Sequence, residues 1–145
     1  MANGKSVAIE DVPDDVFSSK MMGEGIAILP DDGNVYAPCD GCISMLMEHS
    51  LHAFGIVNED GMEVLVHIGI DSVNLMGEGF HSFVKKGDQV KKGDLVIQFD
   101  GNVFKEHDIS SMTMMILVEP NGYRPVTFHV NEQVQAGISN IIEYK

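Results

Sequence analysis

The chain has 145 residues, of which 44% are hydrophobic, and carries 22 Asp plus Glu against 9 Lys plus Arg for a net charge of -13. No apolar run approaches the roughly 20 residues that a membrane-spanning helix needs. Duplex binding rests on Lys and Arg displacing counterions from phosphates, and with Arg124 as the one arginine the balance argues against nucleic acid and for solubility and a cationic partner.

The chain opens on Met1 to Ser6 and runs into Glu10, Asp11, Asp14 and Asp15, with no apolar signal core. Two cysteines, Cys39 and Cys42, do not make a disulfide framework. A cytoplasmic globular protein is the expectation, organised as one domain over residues 1–145. A helical turn is expected over residues 14–22. Strand-length apolar runs follow at 25–29, 64–68, 94–99 and 112–118, with a second helical turn near 103–106. Turn chemistry bounds them at 30–33, 40–41, 59–61, 87–88, 93–94 and 120–122. Many short strands at close spacing predict an all-β, antiparallel sandwich or barrel rather than βαβ units.

One repeat stands out. The sequence Val-Lys-Lys-Gly-Asp occurs at residues 84–88 and again at 90–94. Two consecutive solvent-facing turns explain it; the other reading is a docking patch for an acidic group.

The chemistry gathers in residues 50–71. Two apolar strands flank a polar loop, Asn58 to Gly61, which is a hairpin signal. Closing that loop pairs Val57 with Met62 and, counting back, His52 with His67. Cross-strand neighbours have Cβ atoms about 4.5–5.5 Å apart, so the two imidazoles converge. Alternation puts Phe54 and Ile56 on the face of His52, and Leu65 on that of His67. Two protonated rings would repel, so at least one is expected to be neutral near neutral pH. Such a pair suits phosphoryl relay, a zinc site with a third ligand, or general acid–base catalysis. It is also compatible with two satisfied core histidines. His49, three residues before His52, falls on the opposite face of an extended strand.

Five segments taken in order resemble the glucose-type enzyme IIA family, phosphocarriers of the bacterial phosphoenolpyruvate-dependent sugar phosphotransferase system. They are residues 23–28, 37–41, 52–54, 66–71 and 77–80, and the Lys-Gly-Asp turns at 86–94 also fit. The resemblance runs from about Glu10 to the C-terminus. It implies an antiparallel β-sandwich of the duplicated hybrid motif type and a phosphotransferase component that needs no cofactor. His67 matches the histidine that accepts a phosphoryl group on Nε2 from HPr and passes it to a cysteine of a permease IIB domain. His52 matches the stabilising second histidine, Ser50 the hydroxyl residue that orients it, and Gly69 the carbonyl that holds Nδ1–H of the acceptor. Asp14 and Asp71 match carboxylates that receive a basic group on HPr. Val16, Phe17 and Met22 match apolar docking positions, and Met45 and Met47 enlarge that surface. No metal is required, although zinc bound adventitiously by His52 and His67 fits the pair.

The departures are Cys39 and Cys42, a shorter first strand before Glu10, and an insertion beside His49. A zinc-dependent hydrolase of related sandwich fold is the alternative, and it needs a third ligand. A lipoylated or biotinylated carrier is a third class, although each lysine pair here precedes ordinary turn residues. The domain contacts proteins rather than the sugar, so the sugar is not encoded in it.

Overall fold

The computed structural model describes residues 2–20, 23–119, 125–128, 133–134 and 142–144. In chain order the strands are β1 (Gly4–Ala8), β2 (Glu24–Pro30), β3 (Asn34–Tyr36), β4 (Gly41–Leu46), β5 (Ala53–Val57), β6 (Glu63–Ile68) and β7 (Phe80–Ser82). They continue with β8 (Gln89–Val90), β9 (Leu95–Phe99), β10 (Thr113–Glu119), β11 (Pro125–Phe128), β12 (Gln133–Val134) and β13 (Ile142–Tyr144). Two short α-helices, α1 (Asp15–Ser18) and α2 (Gly101–Glu106), fall in the two regions expected to be helical. Among the described residues, no helix is long and apolar enough to cross a membrane.

The fold is an antiparallel β-sandwich. An eight-stranded sheet runs in the order β12-β1-β2-β10-β6-β5-β4-β8, beside a three-stranded sheet β3-β9-β7 and the pair β11-β13. The main core joins the first two sheets, with Ile26, Ile28, Phe54, Ile56, Val66 and Ile68 meeting Val35, Val96, Ile97 and Phe99. Successive side chains on a strand point to opposite faces, so the other face of the same strands carries a second apolar cluster. That cluster holds Ala27, Ala53, Leu65, Met114 and Ile116 and is covered by Ile9, Val12 and Phe17. The middle strands are therefore buried on both sides, which is why their runs read as continuously apolar.

Residues 4–8, where a shortened first strand was expected, form an internal strand between β12 and β2. The repeated turns are solvent-facing, as the simpler reading held. In each, the Asp carboxylate accepts from the first lysine's backbone amide, Asp88 from Lys85 N–H and Asp94 from Lys91 N–H, both at 2.9 Å. The turn expected at residues 120–122 lies outside the described residues, as does Arg124.

The hairpin register differs from the expected one by a residue. Val57 pairs with Glu63 and Ala53 with His67. The Asn58 side chain causes the slip: its Oδ1 accepts the amides of Asp60 and Met62 at 2.9 and 3.0 Å. Met62 is thereby drawn into a five-residue loop and buried in the main core. A one-residue slip exchanges faces. Phe54 and Ile56 accordingly sit in the main core and not on the face that carries His67.

Phe104 of α2 is buried against Phe99 and Phe80, with ring centroids 5.0 and 5.6 Å away. Phe104→Ala is expected to cost about 3–5 kcal/mol of stability through lost burial and the cavity left behind. Urea unfolding measures this, and an unchanged midpoint would contradict the packing described.

Candidate functional site

His67 lies near the end of β6, on the face of the second cluster. The strand registers set Ala27, Met114, His67 and Ala53 side by side across four strands. Phe17 of α1 covers the imidazole, with ring centroids 4.9 Å apart. The ring is half-buried in this apolar setting and makes one committed polar contact, Nδ1 to the Gly69 carbonyl oxygen at 2.9 Å. A carbonyl only accepts, so Nδ1 carries the proton and donates it. The neutral ring then has its lone pair on Nε2. Burial pushes the His67 pKa down to about 4, helped by the neighbouring His52, while the Gly69 carbonyl and the Asp14 and Asp71 carboxylates pull the other way.

Gly69 owes its place to geometry. Its φ of +80 is left-handed, and an added Cβ would come within 2.6 Å of Phe104 Cε2 and 3.0 Å of the Ser110 carbonyl oxygen. The Gly69 amide donates to Met112 O at 2.9 Å, and the Ser72 hydroxyl donates to the Ile68 carbonyl. The acceptor of the His67 proton is thus held from both sides.

His52 meets His67, though not through the register expected. It precedes β5, behind Leu51 in a left-handed conformation at φ 53, so strand alternation does not bind its side chain. Its carbonyl still accepts the Ile68 amide at 2.7 Å, keeping it beside β6. The two imidazoles stand edge to face, centroids 4.8 Å apart and planes at 81°. His52 is buried, which lowers its pKa, and its Nδ1 shares a 2.6 Å hydrogen bond with Ser50 Oγ.

Of the other expected residues, Asp14 is half-buried just ahead of α1, and Asp71 is exposed after β6 at φ 60. Phe17 is buried over His67, which makes it a wall of the site. Met47 is exposed, and Met45 packs partly against the second cluster. Val16 belongs to α1, but its side chain lies outside the described residues, as does Met22. Sequence reading missed Met114 and Ser72. Nothing in one sequence pairs β10 with β6, and Ser72 reads as an ordinary residue at a helical turn. It also missed Val73 and Met76, exposed apolar side chains just beyond Asp71; their signal was apolar residues in a polar turn.

Among the described residues, no group of three or more His, Cys, Asp or Glu side chains is placed to hold a metal ion. The zinc-hydrolase reading finds no third ligand there. Cys39 and Cys42 are free and half-buried, and burial, with Asp40 adding to it, pushes the Cys39 thiol up to about 11. A protonated thiol is a poor nucleophile.

Comparison with known proteins bears on the family and the fold. Residues 1–123 match the family model described as phosphoenolpyruvate-dependent sugar phosphotransferase system, EIIA 1. The chain is 49% identical over 113 residues to the PTS system glucosamine-specific EIICBA component of Bacillus subtilis (strain 168), a match covering 78% of this chain and 18% of that protein. The chain therefore corresponds to less than a fifth of that relative's length. The solved structure of the glucose permease IIA from Mycoplasma capricolum superposes with a TM-score of 0.88 at 31% identity, covering 99% of this chain and 90% of that one.

A histidine with a depressed pKa makes stability depend on pH. His67 binds its proton near 4 when folded, against an ordinary 6.5. Between these values the unfolded chain binds more protons, so the contribution is complete above 6.5 and is lost as pH falls toward 4. Urea unfolding across that window should show a steeper acid-side decline for the native chain than for His67→Gln. Equal slopes would mean that His67 titrates as an ordinary histidine.

Proposed function

The chain belongs to the EIIA 1 family of the phosphoenolpyruvate-dependent sugar phosphotransferase system, and from that premise we propose that it relays a phosphoryl group through His67. The observation that carries the proposal is the Nδ1–H bond to the Gly69 carbonyl. It leaves an unprotonated Nε2 in an apolar setting, next to a second buried imidazole.

In the proposed sequence, His67 Nε2 attacks the phosphorus of phosphohistidine on HPr. The new N–P bond forms as the bond to the HPr nitrogen breaks, and that nitrogen keeps the electron pair. In the second half, a thiolate on a IIB domain attacks the same phosphorus. The N–P bond to His67 breaks, and Nε2 regains its lone pair. Neither half requires His67 to gain or lose a proton, so its Nδ1–H stays on Gly69 throughout.

Phosphoryl transfer asks for positioning and for charge stabilisation more than for covalent help. Ser50 donates its hydroxyl proton to His52 Nδ1, and His52 turns Nε2–H to the phosphoryl oxygens. The lowered pKa of His67 serves the transfer too, since a protonated ring would have no lone pair to offer. Asp14 and Asp71 receive the basic group that HPr brings. Phe17, with Met47, forms the apolar rim that excludes water from a hydrolysable phosphohistidine. Names of the relatives point to glucosamine and glucose, so the sugar served is of the hexose class, read by the permease and not by this domain.

Incubation with phosphoenolpyruvate, enzyme I and HPr is expected to give an acid-labile, base-stable phosphate on the native chain and none on His67→Ala. His52→Ala should label but fail to pass the group on, with onward transfer down by about 10²-fold or more. Retained label on His67→Ala would remove the assignment, and loss of label on His52→Ala would remove the division of roles.

A further inference from the structure

One segment, from Gly69 to Gly77, runs from the His67 ring to the loop that precedes His52. At its start the Gly69 carbonyl takes the His67 proton. At its end Gly77 presses on the loop that leads into His52. A Cβ built on Gly77 falls 2.5 Å from the His49 carbonyl oxygen and 4.0 Å from Ser50 Cα. Those are backbone atoms, which cannot swing aside as the end of a long side chain does. Ser50 is the residue whose hydroxyl meets His52 Nδ1 at 2.6 Å. The segment has little slack of its own. Its 3-10 turn, Ser72–Leu75, is anchored by Leu75 in the main core and flanked by Asp71 and Met76, both left-handed.

We propose that Gly77 is a positioning residue for His52. Its missing side chain lets the segment seat the His49–Ser50 backbone where the Ser50 hydroxyl reaches the imidazole. The proposal rests on the reading of His52 as the group that supports transfer from His67. It adds that the loop beyond the acceptor histidine fixes the second histidine as well.

Two effects have to be separated. At φ +87 any L side chain on Gly77 is strained, whatever space surrounds it. Gly87 is the matched control, because it sits at φ +96 with no heavy atom within 4 Å of an added Cβ. Gly77→Ala and Gly87→Ala therefore share the backbone strain, and only the first meets a neighbour.

Nitrogen-15 histidine spectra of both variants read the imidazole directly. Gly77→Ala should shift the His52 ring nitrogens, whereas Gly87→Ala should leave them in place. In the HPr and IIB assay, Gly77→Ala should still label on His67 while passing the phosphoryl group on about tenfold or more slowly. Gly87→Ala should behave as the native chain. If Gly77→Ala does not fold, Leu75→Val trims the segment's core anchor without adding an atom at the contact, and it should move the same His52 signals. Unchanged His52 signals in whichever of these two folds would overturn the proposal. Failure of native labelling on His67 would instead overturn the relay reading, and the spectra would still decide the placement of His52.

Discussion

The hydrogen bond between His67 Nδ1 and the Gly69 carbonyl is the constraint on which the rest of the site depends. A neutral imidazole has one N–H, and placing it on an acceptor-only group decides which nitrogen is bare. That decision holds only if the carbonyl cannot move. Gly69 supplies the left-handed backbone that turns its oxygen toward the ring, and Phe104, Ser72 and Ser110 close around it. Phe104 in turn stands on Phe99 and Phe80, so the tautomer is referred back to the main core. The bond also offsets what burial costs a polar ring. An imidazole among Ala53, Leu65, Met114 and Phe17 with no partner would carry an unsatisfied donor, a loss of about 1–3 kcal/mol.

Burial on both faces of β2, β10, β6 and β5 explains why so apolar a site exists in so acidic a chain. A net charge of -13 would ordinarily place carboxylates over every accessible surface. Here the second cluster occupies the outer face, with α1 and Ile9 laid across it, and the carboxylates are pushed to the edge as Asp14 and Asp71. Their pull on His67 is small beside the effect of burial. The centre is uncharged and its rim negative, a division suited to a cationic partner that brings its own compensating charge.

The strand runs, the two helical turns and the convergence of the histidines were legible in the sequence because period-two apolarity and turn residues are local signals. The register was not. It turns on the Asn58 carboxamide accepting two amides, and asparagine in a polar loop gives no hint of that. His52 reaches His67 by a route that alternation does not describe, through left-handed Leu51, so the expected meeting occurs for a different physical reason. Met114 and Ser72 touch the site's support from elements whose placement depends on the whole sheet order, which no single window of residues contains.

The Gly69–Gly77 segment links the acceptor carbonyl, the exposed rim and the loop before His52. It begins at the carbonyl that fixes the acceptor's tautomer, presents Asp71, Val73 and Met76 outward, and ends against the loop of the second histidine. Left-handed Asp71 and Met76 each cost roughly 1 kcal/mol or more of backbone strain. Such strain persists only where packing over-determines it, and here Leu75 and Ser72 are buried between the two strained residues. The proposed relay, gaining its rate from positioning, would have reason to keep this arrangement, because a looser segment would let the two imidazoles drift independently. Rigid coupling makes the outward side chains and the histidines parts of one body. In the proposed relay, a partner seated on the exposed residues would find Nε2 of His67 already at a fixed height and angle.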